Sequence, residues 1–276
     1  MTERAAVRRD SLNPMIRMLL LLSAGIPTLF AQLAPPNDAG VSIGHIHLMV
    51  TDPEAHKKLW TGLLGAEVTH AGTLEMLKLP GVFIIAGKAR GPVAGSEGSA
   101  VPHFGFLVKS FSEMRARLAA AGLPLTNENP TNRQVMAHFP DDILVEFTED
   151  ASLNMPVKFH HIHIGTPEGE RGRDWYAKTF GARPGTRGTF LAAFVPGGEV
   201  DFRKADAPQA PTKGRALDHI GFEVKGLEAF VKKLQASGYT FDVSYREMAQ
   251  LDNLKLAFLI DPDGVRIELT EGLAGR

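Results

Sequence analysis

Ile43-Gly-His-Ile-His-Leu48 returns as Phe159-His-His-Ile-His-Ile164, an offset of 116 residues from His45 to His161. Working outward from this pair, the same offset holds. Pro102-His-Phe-Gly-Phe106 returns as Asp218-His-Ile-Gly-Phe222, Gly65-Ala66 as Gly181-Ala182, and Gly122 as Gly238. The tails agree after six extra residues, Val145-Glu-Phe-Thr-Glu149 against Ile267-Glu-Leu-Thr-Glu271. Self-similarity at one offset marks a repeated supersecondary unit. The chain therefore divides into 43–150 and 157–271, with a linker at 151–156. Each half divides again, because strand-like runs open at 43–50, 103–108, 159–165 and 219–224. An amphipathic helix follows each run, ending near Gly65, Gly122, Gly181 and Gly238. Short strands fill the rest, so the unit reads βαβββ, four times over, in an α+β fold.

Composition limits the chemistry. The 276 residues carry 30 Lys plus Arg against 31 Asp plus Glu, a net charge of -1, so nothing draws the whole molecule to nucleic acid. There is no cysteine, which removes disulfides, thiolate nucleophiles, Fe–S clusters and Cys-ligated zinc. Ten histidines leave nitrogen and oxygen ligation as the metal chemistry open to it. At the N-terminus, Arg4, Arg8, Arg9 and Arg17 precede the apolar run 18–26, Pro27 and a small residue, Ala31. That order predicts a signal peptide over 1–31, a linker over 32–42 and a periplasmic or secreted protein without stable membrane attachment. The apolar run is too short to span a bilayer.

Residues i and i+2 share one face of a strand, so His45 and His47 point together, as do His161 and His163. His161 and His219 occupy the same point on two equivalent strands, as do His45 and His103, and Glu146 and Glu268 lie on the corresponding last strands. Two neutral imidazoles and one carboxylate suit Fe2+, Mn2+, Zn2+, Ni2+ or Co2+ and leave coordination positions for a small-molecule ligand. His47 and His163 are expected to line the cavity or support the ligands.

The quoted motifs, Gly44-His45 with Leu63-Leu-Gly65, His161 with Tyr176 and Phe180-Gly181, Asp218-His219-Ile-Gly-Phe222, and Phe258-Leu-Ile-Asp-Pro-Asp-Gly264 with Glu268-Leu269, have a known counterpart. They resemble the vicinal oxygen chelate superfamily, which includes glyoxalase I, extradiol dioxygenases, fosfomycin and bleomycin resistance proteins and methylmalonyl-CoA epimerase. The resemblance covers about 43–271. It implies tandem paired βαβββ modules, four in all, forming two similar half-open barrel domains with a divalent metal on the concave side. It also implies a C-terminal metal set of His161, His219 and Glu268, with His45, His103 and Glu146 as the N-terminal equivalent. Asp201 or Glu199 would close the C-terminal site or serve as a base, whereas Phe83–Ile85 leaves the N-terminal counterpart apolar. The expected activity is metal-assisted proton transfer or lyase chemistry on an oxygen-chelating small molecule. An extradiol-type dioxygenase is one alternative, although Phe258 stands where those relatives carry a tyrosine. A non-enzymatic binding protein, its cavity lined by Phe104, Phe106, Phe190, Phe194 and Phe222, is another.

Overall fold

The computed structural model describes residues 33–276, so the signal-peptide reading of 1–31 lies outside the described residues. Module 1 comprises β1 (Val41–Val50), α1 (Pro53–Leu64), β2 (Glu67–Ala71), β3 (Leu74–Leu79) and β4 (Val82–Lys88). Module 2 comprises β5 (His103–Val108), α2 (Phe111–Ala120), β6 (Leu125–Asn129), β7 (Gln134–Phe139) and β8 (Ile143–Glu149). Module 3 comprises β9 (Val157–Thr166), α3 (Gly169–Phe180), β10 (Arg183–Arg187), β11 (Phe190–Val195) and β12 (Gly198–Lys204). Module 4 comprises β13 (Leu217–Val224), α4 (Leu227–Ala236), β14 (Val243–Met248), β15 (Leu254–Ile260) and β16 (Arg266–Glu271). The βαβββ reading holds in all four. The helices start and stop for local reasons. Asp52 accepts the Ala55 N–H ahead of Pro53, and Gly65 ends α1 at φ 73°, a left-handed conformation that glycine adopts without strain.

The sheets pair modules differently from the sequence halves. One eight-stranded sheet runs β14-β15-β16-β13-β1-β4-β3-β2, the other β10-β11-β12-β9-β5-β8-β7-β6. Modules 1 and 4 thus share an outer sheet, and modules 2 and 3 an inner one. Each sheet is joined at its middle by an antiparallel pair of first strands, β1 with β13 and β5 with β9. The expectation that His161 and His219 lie side by side is therefore corrected: they sit in different sheets. The cause is visible in the connections. The six residues 151–156 keep the chain within the inner sheet, whereas 89–102 and 205–216 carry it from one sheet to the other. Those two crossovers brace each other through Ala100 N–H to Ala210 O at 2.8 Å and Ala216 N–H to Ala94 O at 2.8 Å.

What each half does share is the core on its helix side. Trp60 of module 1 stacks on Phe139 at 4.6 Å and lies 6.2 Å from Phe104 and Phe106 of module 2. Phe180 of module 3 stacks on Phe222 of module 4 at 4.7 Å. Phe104, Phe106 and Phe222 are accordingly core residues, not cavity walls.

Two β-bulges keep the histidines on the opposite, concave face. Across β1 and β13, Ile43 pairs with Phe222 and His45 with Gly221, leaving Gly44 extra. Across β5 and β9, Phe159 pairs with Phe106 and His161 with Gly105, leaving His160 extra. A one-residue insertion flips the alternation. Ile43 and Phe159 can thus enter the helix-side core while His45, His47, His161 and His163 face the concavity.

Candidate metal centres

The concave face of the outer sheet gathers His45, His47, His219 and Glu268, and that of the inner sheet His103, Glu146, His161 and His163. Every predicted ligand is present, but regrouped. His161 meets His103 and Glu146 from the first half, and Glu268 meets His219 and His45. No His161, His219 and Glu268 set exists among the described residues, because β9 and β13 belong to different sheets.

In the outer cluster, one carboxylate oxygen of Glu268 lies 2.9 Å from Nε2 of both His45 and His219. Asp218, the extra residue of a second bulge on β13, accepts from His219 Nδ1 at 2.6 Å. It is itself held by Arg266 at 3.0 Å and by the Gly214 N–H at 2.6 Å. A carboxylate on Nδ1 leaves Nε2 as the nitrogen that faces the site, the arrangement that orients metal-bound imidazoles. Burial alone would lower the His219 pKa, but Asp218 and Glu268 outweigh it and raise it above the ordinary value. Burial would raise the Glu268 pKa, and the two histidines instead hold it well below the usual carboxylate range. The two Nε2 atoms hydrogen-bonded to Glu268 present two nitrogens and an oxygen to one point, the donor types a divalent cation takes. A divalent cation fits this set.

Apolar chains flank the outer cluster on its β4 side, and His47 stays partly exposed. His45 and His47 are register partners of Phe83 and Ile85, which pack with Met76, Leu254, Leu33 and Leu273 in a buried cluster. Phe258 adds its edge to the His219 ring at 5.1 Å. Burial and His219 push the His47 pKa down to about 3.

The inner cluster is more polar. Glu146 lies 3.3 Å from His103 Nε2 and 3.7 Å from His161 Nε2, and Thr148 donates to it at 3.0 Å. Both imidazole nitrogens are buried without a hydrogen-bond partner among the described residues. Leaving such an atom unpaired costs about 1–3 kcal/mol, so two of them facing one carboxylate suit a cation between them. His161 Nδ1 is already engaged by His160 Nδ1 at 2.9 Å, which leaves Nε2 as its ligand atom. Burial drives the His161 pKa well below the ordinary value, so its ring is neutral, as ligation requires.

Asp201 and Glu199 stand beside this cluster, opposite His163 and His161 in the parallel β9–β12 register. Arg187 of β10 joins them. Its Nε lies 2.7 Å from both Glu199 Oε1 and Asp201 Oδ2, and its Nη2 donates to His163 Nε2 at 3.1 Å. His163 Nε2 must therefore be an acceptor, and Arg187 occupies its lone pair. His160 Nε2 lies 3.3 Å from Glu199 on the other side. Burial, then the Asp201 charge, pushes the Glu199 pKa up to about 7 against the pull of Arg187. A cavity of about 350 Å³, bordered by Ser99, Asn127, Arg203 and Gln209, reaches His103.

Comparison with known proteins agrees with this architecture. Residues 158–269 match the model of the Glyoxalase/Bleomycin resistance protein/Dioxygenase superfamily. Glyoxalase I from Zea mays superposes with a TM-score of 0.66 at 15% identity, over 84% of this chain and 92% of that one. A candidate dioxygenase from Bacillus subtilis subsp. subtilis str. 168 does so with 0.63 at 16% identity, over 89% and 88%. Residues 158–269 are thus recognised as a glyoxalase-type unit of the vicinal oxygen chelate superfamily, and the chain as a whole shares that superfamily's fold. At these identities the solved structures share the superfamily's fold with this chain and carry no reaction over to it. No curated protein matches it.

The family resemblance did not reveal the glycines that make room for the rings. A Cβ on Gly221 would stand 2.1 Å from the His45 ring, and one on Gly105 would stand 2.3 Å from His161. The signal was present in both His103-Phe-Gly105 and His219-Ile-Gly221, a glycine two residues after each histidine. Arg187 carried no repeat signal. His160 lacked a repeat partner because its counterpart, Gly44, has no side chain.

Proposed function

We propose that this chain is a divalent-metal-dependent enzyme acting on an oxygen-chelating small molecule by proton transfer or lyase chemistry, with the inner cluster as its reaction centre. The observation that carries this is the pair of unpartnered, buried Nε2 atoms of His103 and His161 facing Glu146, with His103 itself in the wall of a cavity. His103, His161 and Glu146 would hold the ion, from the Fe2+, Mn2+, Zn2+, Ni2+ and Co2+ group. When bound, it supplies Lewis-acid polarisation of a substrate oxygen. Glu199 moves the proton. With a pKa of about 7 it is protonated and ionised in comparable amounts at neutral pH, the condition under which a carboxyl can accept and return a proton. Arg187 at 2.7 Å and His160 at 3.3 Å are its polar neighbours. Asp201 serves as the partner charge under Arg187 and not as a fourth ligand. The outer cluster has Phe83 and Ile85 at the register positions where the inner one has Glu199 and Asp201, so it lacks that proton carrier and is read as a structural site.

Metal analysis of purified protein after loading with each ion tests the reading. Wild type should retain metal at both clusters, Glu146→Ala should lose the inner ion alone and Glu268→Ala the outer alone. Glu199→Gln should keep both. A wild-type protein that holds no divalent ion would overturn it. The export reading stands as a proposal too, and N-terminal sequencing of fractionated protein checks for a start after Ala31.

A further inference from the structure

A second and larger cavity, about 790 Å³, lies where β9, β11 and β12 meet the start of α3. Its wall includes Phe190, Leu191 and Phe202, and it shares Arg203 and Lys204 with the cavity that reaches His103. The register explains how one groove serves both faces of the sheet. Leu191 pairs with Phe202, and both point to the helix side, as does Lys204 two residues on. Phe190 and Arg203 alternate with them and share the concave face with His163, whose ring Phe190 meets edge-on at 4.8 Å. The two cavities therefore meet at the strand ends, with an apolar floor on the helix side and His103 of the metal cluster on the other. Arg203 and Lys204 stand at the bend, exposed. Among the described residues neither has a carboxylate within ion-pairing distance, whereas Arg171 at the far rim is taken by Glu168 at 2.6 Å.

We propose that this groove binds an amphipathic organic anion. Its apolar body lies on Phe190, Leu191 and Phe202, its negative group meets Arg203 and Lys204, and its remaining oxygens reach toward His103. This deepens the reading of the inner cluster as the reaction centre and names its substrate class. An apolar floor supplies affinity through buried area, and two unpaired cations at the bend select charge and orientation.

The test is calorimetric titration of the metal-loaded full chain with 2-naphthoate, and with 2-naphthylmethanol as its neutral analogue, with metal content measured on each sample. Saturable binding of naphthoate, at least tenfold tighter than the alcohol, is expected. The Arg203→Ala/Lys204→Ala variant should erase that preference while retaining its metal. Leu191→Asn should weaken both probes. No saturable naphthoate binding, equal affinity for the two probes, or an unchanged preference in the double variant would overturn the proposal. A protein that binds naphthoate selectively yet holds no metal would instead sink the reaction-centre reading and leave the groove standing.

Discussion

At the residue scale, the decisive contacts are those between a ring and a missing side chain. Gly105 and Gly221 lie opposite His161 and His45, and the imidazoles occupy the space a Cβ would take. Replacing either glycine with alanine should displace the ring and its Nε2, with the strands themselves still able to pair. We expect Gly105→Ala to weaken inner-site metal binding at least tenfold and leave the outer site intact, and Gly221→Ala to do the reverse. Metal titration beside far-UV circular dichroism checks this, and equal loss at both sites would contradict it. Much of this site was legible in the sequence. Four histidine candidates were marked by recurrence at one offset and two glutamates by recurrence six residues further on, and strand parity put the histidines on one face. Their partition into clusters was not legible. Modules 2 and 4 are near-copies at their first strands, so a pattern that lets His161 find His219 equally lets it find His103.

The elements themselves follow from local rules, which is why the βαβββ order could be read before any contact was known. The helix α1 shows the reason most plainly. Asp52 caps it, Pro53 opens it, and Trp60, Leu63 and Leu64 form the buried stripe that ends at Gly65. Asp52→Ala removes an exposed cap bond to the Ala55 N–H and should cost about 1 kcal/mol. Chemical denaturation of the two proteins measures the difference, and an unchanged midpoint would show the cap to be idle. Bulges resisted reading for the opposite reason. Gly44 and His160 insert against a partner strand that lies far away in sequence, so no local pattern announces them. His160 is the more consequential, since the bulge delivers a side chain that touches both His161 and Glu199.

At the scale of the whole molecule, two sheets of one design differ in how protons compete with metal. Ligation needs an unprotonated Nε2. The His219 pKa is raised above that of a free imidazole by Asp218 and Glu268, so the metal-free outer cluster takes up a proton more readily and its metal affinity falls as pH drops through the raised pKa. The His161 pKa is well below 6.5 and Glu146 is held below the usual carboxylate range, so neither takes up a proton until far lower pH. Dialysis of metal-loaded protein down a pH series should therefore strip the outer ion first, with Glu146→Ala and Glu268→Ala each reporting one cluster alone. The reverse order would count against these assignments. The nesting of module pairs also has a consequence for synthesis. The inner sheet closes over the short turn at 151–156, and its strands reach the ribosome exit one after another. The β1 strand emerges first but has no neighbour on one side until β13 has been made, and an unpaired apolar edge is a template for mispairing. Among the described strands β1 is thus the one that waits longest for its second neighbour, with its edge open to mispairing throughout that interval.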